Sequence, residues 1–397
     1  MNTNKPTRRS FLQIAGASTV ASLISPLDIF AESERAVVQS ETSFGAPYLQ
    51  NLNPTEVSVF VVDTKDSVTW VELDEGDEKR KIVNKSDGFL EAGRGPKSFK
   101  IDGLVPGKEY RYAVYRKEII VFKPYDLQYG EPRKTKDYTF RTPLPSAQTV
   151  SCLIMNDIHD RPHSFSQLMS LNKEPYEFVV FNGDTFDYQT DERQLIDHLF
   201  QPVSELFAAD KPMLMIRGNH ETRGKYARDF KDYFSYPNGQ YYFNFQQGPV
   251  HFIVLDTGED KPDDAEVYGG IVDFDEFRRE QALWLENVMT SKAYRQSPFK
   301  VVLMHIPPFH SGDWHGTMHC RELFAPLFEK YNVDVVISGH THRYGIHKPN
   351  DEHSFPIVIG GGPKEGQRTI IHLSANQSQL SINMKDDTGT TVGELTI

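Results

Sequence analysis

The stretch VDVVISGHTHRYG, Val333 to Gly345, decides how this chain is read. Val333, Val335, Val336 and Ile337 surround one carboxylate, Asp334, and the run then breaks at Ser338 and Gly339 into His340-Thr341-His342. A short apolar run bounded by glycine reads as a buried strand. A lone histidine at its end would be an ordinary hydrogen-bonded residue. Two imidazoles two places apart ask what stands at the other strand ends.

Upstream, apolar strand-like runs recur: TVSCLIM, FVVFN (178–182), PMLMI (212–216), HFIVL (251–255) and FKVVLM (299–304), with PIVIG (356–360) downstream. Helical spacing separates several of them. It is set by Leu195, Leu199, Val203, Leu206 and Phe207, then Phe277, Trp284, Leu285 and Val288, then Leu323, Phe324, Leu327 and Phe328. Buried strands alternating with helices predict an α/β layered domain. The final TIIHL and QLSINM runs read as added edge strands.

Five of these runs end in polar residues. CLIM leads to Asn156-Asp157-Ile158-His159, FVVFN to Gly183-Asp184-Thr185-Phe186-Asp187, and MLMIR to Gly218-Asn219-His220-Glu221. VVLM leads to His305, and VVI to His340 and His342. In open α/β sheets, ligands bind outside such strand ends. Five polar ends make one shared site the simplest reading. Carboxylate and carboxamide oxygens mixed with imidazole nitrogens suit manganese, iron or zinc, and the lack of thiolates disfavours a closed structural zinc site. Seven donors exceed the need of one tetrahedral ion and suffice for two ions sharing a carboxylate. Two such ions clamp both oxygens of an in-line displacement and shift a bridging water towards neutrality.

The ordered set D-x-H, G-D-x-x-D, G-N-H-E, a lone histidine after a strand, and G-H-x-H resembles the calcineurin-like metallophosphoesterase family over roughly residues 149–345. The resemblance implies a four-layer α/β/β/α sandwich and a phosphoric ester hydrolase acting by attack of a metal-bound hydroxide. It further implies one metal on Asp157, His159 and His342, and another on Asn219, His305 and His340, with Asp184 bridging. His220 resembles the family's outer histidine, which hydrogen-bonds the phosphate or protonates the leaving oxygen. Asp187 and Glu221 resemble groups that hold the ligands or tune His220. A β-domain ahead of this core resembles the layout of purple acid phosphatases. Those enzymes carry tyrosine where this chain has Asp187, so neither the purple colour nor a strong ferric preference is expected. Tyr188 is expected to point elsewhere.

The β-domain is expected over residues 36–142. The runs VSVFVV (57–62), SVTWVEL (67–73), YRYAVY (110–115), IIVF (119–122) and DYTFRT (137–142) alternate as short antiparallel strands of a small β-sandwich. Leu104 to Tyr110 resembles the fibronectin type III turn, in which the tyrosine hydroxyl caps a corner loop. Residues 143–148 read as a linker and residues 149–397 as the catalytic domain. Residues 1–35 read as an export signal, with Ala31 a candidate for the cut. Arg8 and Arg9 in TRRSFL resemble the twin-arginine signature, which implies a periplasmic or extracellular protein with no membrane span after cleavage.

Among the 397 residues, 38% are hydrophobic and 25% charged, the balance of a soluble globular chain long enough for two domains. A net charge of −12 argues against wrapping nucleic acid or binding anionic membranes. Cys152 and Cys320 cannot form a disulfide framework and read as inert. Arg161, Arg223, His310 and Arg343 stand beside the motifs as candidate phosphate or leaving-group contacts. The loop HIPPFHSGDWHGTMHC, with His310, His315 and His319, reads first as a mobile rim touching substrate, next as ordinary loop polarity, and last as the holder of a third metal. The expectation is an exported dinuclear phosphomonoesterase on a small-molecule or polymer-linked phosphoester, of undetermined oligomeric state. A phosphodiesterase of the same fold, or a surface polymer-binding protein with structural metals, are the alternatives.

Overall fold

The computed structural model describes residues 45–76 and 78–397, together with the two-residue strand Val37–Val38. The expected export signal, residues 1–35, lies outside the described residues. Among the described residues no helix is long and apolar enough to cross a membrane.

The N-terminal β-half is one connected, almost wholly antiparallel sheet, built on β1 (Tyr48–Gln50), β2 (Val57–Asp74), β3 (Ala92–Ile101), β4 (Glu109–Lys123) and β5 (Tyr138–Arg141). The runs VSVFVV and SVTWVEL, expected as two strands, are one 18-residue strand, and YRYAVY and IIVF likewise merge into β4. Thr64, Lys65 and Asp66, which lie between the two expected strands, form an exposed irregularity where the register shifts between Asp63 and Ser67. Such a bulge bends the strand without ending it. The bend is pinned from inside. The fully buried Asp63 carboxylate meets Lys97 Nζ at 2.8 Å, Thr69 Oγ1 at 2.5 Å and the Arg116 guanidinium. The sheet thereby folds over one core that takes Val57, Val59 and Val61 from one end of β2 and Val71 and Leu73 from the other.

Residues 150–396 hold two central sheets. The first runs in the order β8 (Met213–Ile216), β7 (Phe178–Asn182), β6 (Val150–Met155), β15 (Thr369–Asn376), β16 (Gln379–Asp386), β17 (Thr391–Thr396). The second runs β9 (Phe243–Gln247), β10 (Val250–Leu255), β11 (Phe299–Met304), β12 (Val335–Ser338), β14 (Ile357–Ile359), β13 (Gly345–His347). In each sheet the strands that end at the site are parallel neighbours. β15, expected at an edge, lies inside its sheet and pairs antiparallel with β6 and β16, and β17 forms the edge.

Alternation along each strand builds the layers. Cys152, Ile154, Val180, Val301, Leu303, Val335 and Ile337 fill the space between the sheets. Leu153, Met155, Val179 and Phe181 face outward onto Phe165 and Leu168 of α1 (His163–Leu171) and onto Leu195, Leu199 and Val203. On the opposite flank, Val302, Met304 and Val336 meet Leu285 and Met289 of α2 (Phe274–Met289) and Cys320, Phe324 and Phe328 of α3 (His315–Lys330). The result is helix, sheet, sheet, helix, with the central parallel strands between two apolar faces as parallel strands require. Two details depart from the helical patterns read in the sequence. Leu206 is exposed rather than core-facing, and the buried stripe of α2 includes the polar Arg278 and Gln281. Both cysteines are buried, and burial pushes their thiols up, that of Cys320 to about 11.

The β-half rests on the outer helical layer. Tyr48 stacks on Phe200 with ring centroids 4.5 Å apart and donates its hydroxyl to the Tyr233 carbonyl at 2.9 Å, while Tyr112 donates to the Ala209 carbonyl at 2.6 Å. At the corner foreseen in the sequence, the Val105 N–H donates to the Tyr110 hydroxyl oxygen at 2.8 Å. Tyr110 is nearly fully buried, so Tyr110→Phe leaves that N–H without its partner at an expected cost of about 1 kcal/mol. Urea unfolding should show a lower midpoint at unchanged slope. An unchanged midpoint would mean that the corner contributes nothing.

Candidate metal centre

The strand-end loops turn with non-glycine residues in the left-handed region: Asp157 (φ 52°), His159 (φ 50°), Asp184 (φ 54°), His340 (φ 71°) and His342 (φ 56°). Such a conformation costs a side-chain-bearing residue roughly 1–2 kcal/mol. Bonds between loops hold it. The Asp157 N–H donates to the Gly183 carbonyl, His159 N–H to the Asp184 carbonyl and Gly339 N–H to the His305 carbonyl, each at 3.0 Å. The His340 N–H donates to Asp157 Oδ2 at 2.9 Å.

Glu221 is the deepest brace. Its carboxylate, fully buried, accepts the backbone N–H groups of Asp184 (2.8 Å), Thr185 (2.7 Å), Phe186 (3.2 Å) and Gly218 (2.7 Å). Burial, with the Asp184 carboxylate next, pushes the Glu221 carboxyl up to about 7, while its backbone donors favour the ionised form. Gly218 leaves the room this requires. A Cβ there would stand 2.3 Å from Asp184 Oδ1 and 3.0 Å from Glu221 Oε2.

On this frame the seven candidate donors come together in two groups that share Asp184. Asp157, His159, Asp184 and His342 offer donor atoms that all lie within 4.8 Å of one another, and so do Asp184, His305 and His340. Asn219 joins the second group, its Oδ1 lying 3.0 Å from His340 Nδ1. The tautomers are set from outside. His305 donates Nδ1–H to the Asn182 carbonyl at 2.8 Å, so Nε2 faces Asp184 Oδ2 at 3.0 Å. His159 Nδ1 faces the Asp187 carboxylate at 2.8 Å, which turns Nε2 inward, 3.0 Å from His342 Nε2.

The electrostatics fit a site for cations. Burial alone would raise Asp157 and Asp184, yet the imidazoles around them hold Asp157 far below the carboxylate range and Asp184 at about 2. Against burial, the same carboxylates push His305 up to about 10 and His159 up to about 9. Asp157 Oδ1 and His305 Nε2 are buried with no hydrogen-bond partner. Buried carboxylates that demand positive charge, together with converging unpartnered donor atoms, suit metal ions.

The outer residues divide. His220 donates Nδ1–H to the Asp187 carbonyl at 2.6 Å, so its Nε2 is an acceptor, and Arg223 Nη1 occupies it at 2.9 Å. Arg223 also grips Glu259 through Nε and Nη2, both at 2.9 Å. Its fork is therefore spent on positioning His220, not held open for phosphate. Arg161 turns back to the His159 carbonyl, Arg343 and Tyr188 are exposed, and His310 stacks on His347 at 3.8 Å between ring centroids, with its Nε2 2.9 Å from His353 Nε2. Sequence reading missed Glu259, nearly fully buried, and Asp160, whose carboxylate accepts the Asp187 N–H at 2.8 Å and lies 2.7 Å from His198 Nδ1. The turn at Gly361 packs against the site, since its carbonyl accepts from Asn156 Nδ2 at 2.9 Å.

Residues 150–344 match the family model of the calcineurin-like phosphoesterases. They form a calcineurin-like metallophosphoesterase domain. Probable purple acid phosphatase 20 of Arabidopsis thaliana is 26% identical over 312 residues, 69% of each chain, and purple acid phosphatase 22 of the same plant is 27% identical over 71% of this chain and 68% of its own. A phosphoenolpyruvate phosphatase of Allium cepa is 25% identical over 61% of this chain and 56% of its own. The solved structure of PhoD shares the fold at a TM-score of 0.60 and 14% identity, covering 91% of this chain and 90% of that one. The chain is a metal-dependent phosphoric ester hydrolase.

A methyl group at position 218 must push Asp184 or Glu221 aside. Gly218→Ala is expected to fold and to lose on the order of 100-fold in turnover of a phosphate ester. Steady-state rates on protein with unchanged circular dichroism check this, and a loss under threefold would mean the brace tolerates displacement.

Proposed function

We propose that this chain is an exported phosphomonoesterase working with two metal ions. One would take Asp157, His159 and His342 and the other Asn219, His305 and His340, with Asp184 serving both. The observation that carries the reading is the sharing of Asp184 by two donor groups whose imidazoles are oriented by outside partners. When bound, such a pair supplies Lewis acidity to the phosphoryl group and lowers the pKa of water. Manganese, iron and zinc all suit the donors. Asp187 in the place of tyrosine leaves no phenolate, so the loaded protein is expected to be colourless.

The chain's own residues orient and hold. Asp187 and the Asn182 carbonyl fix the tautomers of His159 and His305. Glu221 keeps Asp184 where both donor groups meet it. His220, with Nδ1–H given to a carbonyl and Nε2 held by the Arg223 guanidinium, has no N–H free for phosphate or leaving oxygen, so it acts as a positioning residue beside Asp184 and is poorly suited to donate a proton. Burial, then the Arg223 charge, lowers its pKa in the same sense. The phosphatase names among the relatives favour monoester over diester substrates. We further propose that residues 36–142 form a fibronectin type III-like β-domain, supported by the Tyr110 corner, that 143–148 link it to a catalytic domain of 149–397, and that 1–35 direct export by the twin-arginine route.

On the metal-loaded protein, initial rates with 4-nitrophenyl phosphate should exceed those with bis(4-nitrophenyl) phosphate, and the reverse order would make it a diesterase. Asp184→Asn should lower both metal content and rate. His220→Ala should keep its metals and lose roughly 10- to 1000-fold in rate, by a similar factor for good and poor leaving groups. A loss confined to poor leaving groups would restore proton donation, and an emptied metal site would overturn the division of roles.

The export proposal has its own measurement. A reporter fused to residues 1–35 should cross the membrane folded, and changing Arg8 and Arg9 to lysine should abolish this. Undiminished export of the double variant would remove the twin-arginine assignment.

A further inference from the structure

A second cluster of metal-type donors lies outside the strand-end site. His315 and His319 stand one turn apart at the start of α3, so both imidazoles project from one side of that helix. They meet Asp275, which comes from the first turn of α2. His315 Nε2 lies 2.7 and 3.0 Å from the two carboxylate oxygens, and His319 Nδ1 lies 3.1 Å from Oδ1. His319 is more than nine-tenths buried, and its Nδ1 makes no hydrogen bond although it lies 3.1 Å from the carboxylate. Three donor atoms within 4.8 Å of one another, one on a buried and unpartnered imidazole, are what a cation needs and what solvation alone leaves unexplained.

We propose that Asp275, His315 and His319 bind a separate divalent cation of the nitrogen-seeking class, zinc being the type. The surroundings select that class. Arg278, fully buried, donates Nη1 to Asp275 Oδ1 at 2.9 Å, and the positive end of α3 approaches the cluster, while that of α2 is capped by the Asp263 carboxylate. Those charges oppose an ion held by electrostatic attraction, such as calcium or magnesium, which would also want more oxygens. An ion held by two imidazole nitrogens and one carboxylate tolerates them, and Arg278 orients the carboxylate ligand as outer partners of zinc ligands do.

The expected role is a brace. α3 begins at the end of the 306–314 loop that leaves His305. Its first turn also packs on the segment that holds Arg223: the Gly316 N–H donates to the Asp260 carbonyl at 2.9 Å, and Arg278 binds the carbonyls of Thr257 and Glu259. A cation joining α2 to α3 therefore fixes the rim of the site and the base of the Glu259–Arg223–His220 chain, without itself touching substrate.

Zinc content after dialysis against buffered zinc should fall by about one equivalent in the full-length protein carrying His315→Gln or His319→Gln. His315 is about one-third exposed, so that variant is expected to fold even if the buried one does not. In an Asp184→Asn background, zinc should still raise the melting temperature, and adding His315→Gln should abolish the rise. Equal zinc content in wild type and the folded His315→Gln protein, or a thermal shift indifferent to His315, would reduce the cluster to a hydrogen-bonded Asp–His group and overturn the proposal. Failure of the dinuclear reading would appear separately, as a zinc content that Asp184→Asn leaves unchanged.

Discussion

Everything at the site hangs on the Glu221 carboxylate. One buried anion collects backbone N–H groups from both the 184–186 and 218 loops. Those loops belong to neighbouring parallel strands, β7 and β8, and without a common acceptor their turns would leave four donors unsatisfied in a dry interior. An unmade bond of that kind costs about 1–3 kcal/mol. The brace thus over-determines the left-handed conformation of Asp184, and that conformation aims its two oxygens apart. Oδ1 takes the His220 N–H at 2.9 Å, and Oδ2 faces His305 Nε2 at 3.0 Å. The strain at the strand ends and the convergence of the donors are two sides of one arrangement.

Much of this was legible in the sequence, because each link is local. A buried parallel strand needs an uninterrupted apolar run, and its end is marked where the run meets glycine and polar residues. The succession of β6, β7, β8, β11 and β12 along the chain and the seven residues that converge at their ends could be read that way. The long-range partners could not. Asp160 directly follows the D-x-H motif and Glu259 follows the end of β10, but nothing local marks their roles, which arise only because the fold brings them beside Asp187 and Arg223. The interior place of β15 was equally hidden, since TIIHL is short and its pairing with β6 spans more than 200 residues. The two merged strands of the β-half failed for a different reason. Polar residues between the two apolar runs separate them in the sequence, and only the buried Asp63 network explains why the chain passes through them extended.

Arg278 and Gln281 carry the same lesson on α2. Helical periodicity assigns the buried face to apolar residues, yet these two are fully buried because loop carbonyls and carboxylates await them. Gln281 both accepts the Asp256 N–H at 2.9 Å and donates to the Asp256 carbonyl at 2.7 Å, holding the end of β10 in place of a further strand residue. The next segment, 257–260, is the one that carries Glu259. Polar residues buried in a helix thus mark where the second sheet passes its geometry to the site.

The outer histidine shows how such indirect support can change a chemical role. A histidine beside two carboxylates would ordinarily gain a proton, but His220 lies between a carbonyl on one nitrogen and a guanidinium on the other. Only a neutral ring with its proton on Nδ1 satisfies both. Arg223 can hold that geometry because Glu259 neutralises it with two parallel bonds, so the guanidinium stays put as a donor instead of swinging to the Asp184 charge. The ring beside Asp184 is therefore locked in place with neither nitrogen free to donate. Such a ring is a fixed wall of the site, and it leaves the protonation of the leaving oxygen to another group or to water.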